Sequence, residues 1–203
     1  MPAEVLSAKG QQTRQAIELA ARKLFAERGF HGTTLADITT AAGKSSAVFY
    51  RYFTDKEDLL AALAESFLHE VVEPSGLRVH LPDSPEDEAF FTSVVTGYWS
   101  MFKQNIGIMI AVAQLAATQQ RFAKVQNEFR RFGMDIVAAS VRRAQEQGYG
   151  TELNPEHTAA AIALLFENFT TVFVGKPDLG VTITDDEAIA LLSRIWKKTL
   201  YGA

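Results

Sequence analysis

Residues 33–56 read TTLADITTAAGKSSAVFYRYFTDK, and the fold is decided here. Thr34 and Asp37 have the spacing of a capping box with Asp in the acid place, so a short helix starts at about residue 34 and runs to about 41. Gly43 supplies the left-handed stop that ends it. Ser45 or Ser46 then caps a second short helix, predicted to reach Phe53. Two short helices around a glycine turn have the size of a helix-turn-helix. Leu35, Ile38 and Ala42 can pack on Val48 and Phe49, and Phe53 also reads as core. Ser45, Ser46, Ala47, Tyr50 and Arg51 are left facing outward. The small residues allow close approach to a groove, while the hydroxyls and the guanidinium reach phosphates or base edges. The flanking helix starts offer backbone N–H groups, the hydroxyls of Thr33 and Thr34, and Lys56, all suited to phosphate.

Outward from this stretch the whole chain reads with a helical period, about nine helices and no convincing strand. A first helix over 11–28 places Ile17, Ala20, Ala21, Leu24 and Phe25 on one face and stops at Gly29. A fourth over 56–73 carries Leu60, Leu63, Phe67 and Val71, and the proline-rich 74–85 reads as a loop. Further helices are predicted from 86–88 with a stripe of Phe91, Val94, Val95, Tyr98 and Phe102, over 105–117, over 119–147, over 155–174 and from 185. The eighth is apolar nearly all round, so it must be covered on every face, and a second subunit is the economical cover.

Composition bounds the function. With 203 residues, 47% hydrophobic and 22% charged, the chain can bury a core unaided, and with no cysteine it excludes disulfides and thiolate metal sites. No signal peptide or membrane span is evident, so a cytoplasmic protein without membrane contact is expected. The net charge of −4 does not point to nucleic acid. Residues 1–58, however, carry eight Lys and Arg against seven Asp and Glu, so the acid lies beyond them. DNA requires only a local positive face. Gly43-Lys44-Ser45 looks like the end of a phosphate-binding loop, but Ile38 stands where its earlier glycine belongs and a helix precedes it. His69 follows Glu65 by four residues, while His31, His80 and His157 are scattered, so neither a metal nor a cofactor is expected.

Three segments taken together, AARKLFAERGFHGTTLADIT, AAGKSSAVFYRYF and DKEDLL, resemble the N-terminal domain of the TetR/AcrR family. The resemblance covers about the first third of the chain. It implies an all-α fold, with a three-helix helix-turn-helix domain over 1–55 and a helical ligand-binding and dimerisation domain over 56–203. It implies that Tyr50, Tyr52 and Lys56 touch the DNA backbone and that Ser45, Ser46, Ala47 and Arg51 set sequence preference. The sequence departs from the family pattern at Lys44, usually apolar, at Ser46, often basic, and at Ala47, often glycine. Lys44 brings its charge to the turn.

A homodimeric repressor is therefore expected, binding a near-palindromic duplex operator and released by a small apolar or amphipathic effector. Phe67, Tyr98, Phe102, Met109, Phe129, Phe132 and Phe166 are candidates to line its pocket. The resemblance implies a dimer through the last two helices, with Phe169, Phe173, Leu192, Trp196 and Leu200 as interface candidates. Two alternatives remain: a DNA-binding dimer that answers to a protein partner or to nothing, and a helical enzyme acting on a bound apolar ligand. No nucleophile elbow, metal cluster or dinucleotide fingerprint supports the enzyme, and no catalytic residue is assigned.

Overall fold

A computed structural model describes residues 7–72, 81–175 and 179–202. The side chain of Val71, the segment 73–80 with His80, and 176–178 lie outside these residues. The described residues form nine helices: α1 (Ala8–Arg28), α2 (Leu35–Ala41), α3 (Ser46–Phe49), α4 (Lys56–Val72), α5 (Glu88–Gln104), α6 (Ile106–Ala116), α7 (Gln120–Glu146), α8 (Pro155–Val174) and α9 (Asp185–Tyr201). No strand occurs among them.

The helix ends follow from short polar side chains. Ser7 accepts from the Gly10 N–H and lengthens α1 beyond its expected start. Thr34–Asp37 and Thr184–Glu187 are complete capping boxes on α2 and α9. Asn154 caps α8, where Pro155 occupies the first turn that has no N–H to lose. The third helix is shorter than predicted. Its regular part ends at Phe49, and residues 50–53 continue as turns held by bonds such as Tyr52 N–H to the Phe49 carbonyl, 2.9 Å.

The chain divides into two compact units. The first takes Met1–His69 and Gly107–Val125, and the second Glu70–Ile106 and Gln126–Ala203. In the first, Ile17, Leu24, Phe25, Ile38, Phe49, Leu59, Leu63 and Phe67 form the core together with Ile108, Val112 and Phe122. Here α6 meets α1 through Gly107. A Cβ on that residue would stand 2.5 Å from the Phe25 carbonyl carbon and closer still to the Ala26 nitrogen, so only glycine allows the approach.

The second unit is built on the pairing of α5 with α9. Trp196 is its centre, with Phe90 and Phe91 edge-on at 5.4 and 5.3 Å and Phe166 at 6.2 Å. The indole N–H donates to Ser140 Oγ at 3.1 Å, and that hydroxyl donates to the Val137 carbonyl at 2.7 Å, so both buried groups are satisfied. Leu192 and Leu200 share this core, which corrects their expected place and that of Trp196 at a subunit interface. All three are at most 1% exposed, leaving no surface for a partner. Phe169 and Phe173 are only partly buried, with rings 4.5 Å apart.

By length and composition α8 could cross a membrane. One side of it, Ala159, Ile162, Phe166 and Thr170, is buried within the second unit. Leu164 and Leu165 on α8 and Leu191 on α9 are exposed.

Candidate nucleic-acid interface

The turn between α2 and α3 is a complete left-handed helix stop. Gly43 takes φ +64°, the Lys44 N–H donates to the Thr39 carbonyl at 2.9 Å, and the Gly43 N–H donates to that of Thr40 at 3.1 Å. A side chain at position 43 would be strained in that conformation. Ser45 then starts α3, its Oγ accepting from the Val48 N–H at 3.3 Å. Glycine turn and serine cap together fix the direction in which α3 leaves.

α3 is two-faced. Phe49 is fully buried, while Tyr50, the next residue, is 60% exposed with its ring edge-on to Phe49 at 5.7 Å. Ser45, Ser46, Ala47 and Arg51 are exposed with Tyr50, and Lys44 and Tyr52 are partly so. Seven of the ten expected DNA-contacting residues therefore gather on one continuous stretch. The hydroxyl of Thr34, though exposed, is turned onto Asp37 in the cap.

Thr33 and Lys56 differ from expectation. The Thr33 side chain is fully buried and its hydroxyl lies 2.8 Å from the Gly29 carbonyl, so it offers nothing to phosphate. That corrects its place among the contacts. The Lys56 ammonium donates to the carbonyls of Phe30 and Thr33, each at 2.7 Å, and sits 4.2 Å over the Phe30 ring. Burial lowers its pKa from 10.5. Of the three donors on an ammonium, one is left for an outside anion.

Two features were missed in the sequence. Glu57, at the start of α4, accepts from Gln119 at 2.9 Å and from Arg121 at 3.1 Å, tying α4 to the start of α7 within the first unit. Three arginines of α7 are paired: Arg130 with Glu167, Arg142 with Glu156, and Arg143 with Asp83 and Glu146. Apart from Arg143 with Glu146, these pairs could not be read from spacing, because the partners are far apart in the chain.

Residues 17–63 match the model for bacterial regulatory proteins of the tetR family. Those residues are a TetR-type N-terminal domain. Likeness to TetR-family proteins extends well beyond the matched segment. EthR of Mycobacterium tuberculosis, an HTH-type transcriptional regulator, is 22% identical over 95% of this chain and 89% of its own. The repressor AcnR of Corynebacterium glutamicum is 40% identical over 34% of this chain and 38% of its own. Among solved structures, FadR of Bacillus subtilis in complex with stearoyl-CoA has a TM-score of 0.64 at 19% identity, covering 93% of this chain and 98% of that one. TetR-family relatives of this kind are DNA-binding transcriptional regulators, and this chain carries the same reading domain.

Among the described residues no three His, Asp or Glu side chains are grouped to hold a metal. The expected pocket residues fall in both units. Phe67 and Met109 belong to the first, and Tyr98, Phe102, Phe129, Phe132 and Phe166 to the second. There the Tyr98 ring lies 5.9 Å from both Phe102 and Phe166.

Proposed function

We propose that the chain is a homodimeric repressor that reads a near-palindromic operator and is released by a small, largely apolar effector. The observation that carries this is the exposed face of α3: Tyr50, Arg51, Ser46 and Ala47 stand out from a helix whose reverse, Phe49, is locked in the core. Ser45, Ser46, Ala47 and Arg51 face base edges, and Tyr50, Tyr52, Lys44 and the remaining donor of Lys56 hold phosphates. Residues 1–55 act as the reading head and 56–203 as the sensing and pairing part.

The exposed leucines 164, 165 and 191 with Phe169 and Phe173 support pairing through α8 and α9. Two copies of α3 would then enter successive major grooves about 34 Å apart. The effector site is assigned to the second unit, around Tyr98, Phe102 and Phe166 with Phe129 and Phe132. An effector releases DNA only by favouring one arrangement of the heads, and about 2–3 kcal/mol of coupling changes operator affinity by tens to hundreds of fold. That the similar FadR binds stearoyl-CoA supports an effector with a long apolar part.

Footprinting on genomic fragments, beginning with the protein's own promoter, tests the reading. Protection of a two-fold symmetric site is expected. A protein that binds no duplex above its non-specific level at low salt overturns it.

A further inference from the structure

Four buried side-chain atoms in the second unit have no hydrogen-bond partner among the described residues: Gln147 Oε1, Thr170 Oγ1, Ser193 Oγ and the Tyr201 hydroxyl. Thr170 alone of the four is 0% exposed. A threonine inside a helix usually turns its hydroxyl back to the carbonyl four residues earlier. Thr13 and Thr199 do so, at 2.9 and 2.8 Å. Thr170 does not, and an unsatisfied buried hydroxyl is a standing cost to the fold.

Thr170 stands beside Tyr98 of α5, whose ring is stacked among Phe102 and Phe166. The Thr170 hydroxyl is near enough to favour the Tyr98 phenolate as a hydrogen bond would, but its alignment leaves Thr170 Oγ1 unsatisfied. Burial above all pushes the Tyr98 pKa far up, with the Thr170 hydroxyl opposing and the Glu167 charge adding, so the phenol keeps its proton as a donor. Glu167, one turn before Thr170 on α8, is fully engaged. Arg130 grips it with two bonds of 2.6 and 2.8 Å, and Gln126 donates to it at 3.0 Å. Gly133, three residues along α7 from Arg130, is open: a Cβ there would meet no atom within 4 Å.

We infer that Tyr98 and Thr170 are the polar end of the effector site, and that it takes an uncharged molecule through a carbonyl or amide oxygen at the end of an apolar body. This rests on the effector reading above. Two O–H groups among aromatic rings match an acceptor that carries no charge. A carboxylate would compete with Glu167 for Arg130, and an ammonium would find Glu167 already held by Arg130 and Gln126.

Isothermal titration of the full chain with octanamide, octanoate and octylammonium separates the classes, because the three probes share one tail. Octanamide is expected to bind at least about tenfold tighter than either charged probe. Thr170→Val and Tyr98→Phe are each expected to weaken octanamide by roughly fivefold, the loss of one neutral hydrogen bond. Thr170→Val is also expected to raise the melting temperature, since it removes an orphaned hydroxyl at constant volume. A merely structural threonine would move stability and leave octanamide affinity alone. Octanoate or octylammonium binding as tightly as octanamide, or unchanged octanamide affinity in both variants, overturns the assignment and leaves an effector-controlled regulator standing. No binding of any probe overturns this inference and the effector reading together, while operator binding stays a separate measurement.

Discussion

The Lys56 ammonium lies 2.7 Å from the Thr33 carbonyl oxygen, tying the first residue of α4 to the turn that links α1 and α2. A second bond to Phe30 and the ring beneath it make the lysine a brace. Lys56→Ala is expected to cost about 1–2 kcal/mol, below the upper range for charged hydrogen bonds because the group is partly solvated. Urea unfolding with an unchanged midpoint would dismiss the brace.

Tyr50 and Phe49 divide surface from core between adjacent positions. Tyr50→Ala is expected to weaken operator binding across sequences and leave the melting temperature within the usual scatter of surface changes. Phe49→Ala is expected to cost about 3–5 kcal/mol. Fluorescence anisotropy on operator DNA beside thermal melting checks both, and full affinity in Tyr50→Ala removes the tyrosine from the interface.

Gly107→Ala sets a methyl against the backbone of α1. The expected loss is about 1–3 kcal/mol, because backbone, unlike a flexible side chain, has little room to yield. Denaturant unfolding measures it. A variant as stable as the parent shows that α6 stands further off.

Leu165→Glu and Trp196→Glu are expected to fail differently. The first is exposed and should give a folded monomer by light scattering, while the second buries a charge and should unfold. A folded dimer of Leu165→Glu would place pairing elsewhere.

Acid should loosen the helix starts. Hydrogen bonds from Thr34 hold the Asp37 carboxyl below 3.8, and those from Thr184 hold Glu187 below 4.5. A carboxyl whose pKa is lower in the folded state lends stability above its unfolded value and withdraws it as pH falls through the folded one. Melting temperature should therefore hold down to about pH 4.5 and decline below it. In Asp37→Asn with Glu187→Gln the decline should be shallower, and an identical decline would exclude these caps as its source.

Much of this was legible because it is local. Thr34 with Asp37, Gly43 and Ser45 announce their helix ends within a turn of chain. The outward set from Ser45 to Arg51 followed from placing Phe49 inside. The inward turn of the Thr33 hydroxyl was not legible, because its acceptors Leu24 and Gly29 are set by how α1 ends. On α9, periodicity showed that Leu192, Trp196 and Leu200 share a face but not whether that face meets α5 or another subunit. α3 was read too long because Tyr50 to Phe53 keep helical spacing while their bonds tighten into turns.

The glycine contact between α6 and α1 bears on how specificity in such a regulator is re-engineered. A transplanted segment 1–55 would bring Phe25 and Ala26 against a host helix that need not have a glycine where this chain has Gly107. With any side chain at that position, such a chimera would fail by collision, whatever the merit of its α3. On the function proposed above, retargeting is better done by point changes at Ser45, Ser46, Ala47 and Arg51, which are exposed and leave that seam untouched.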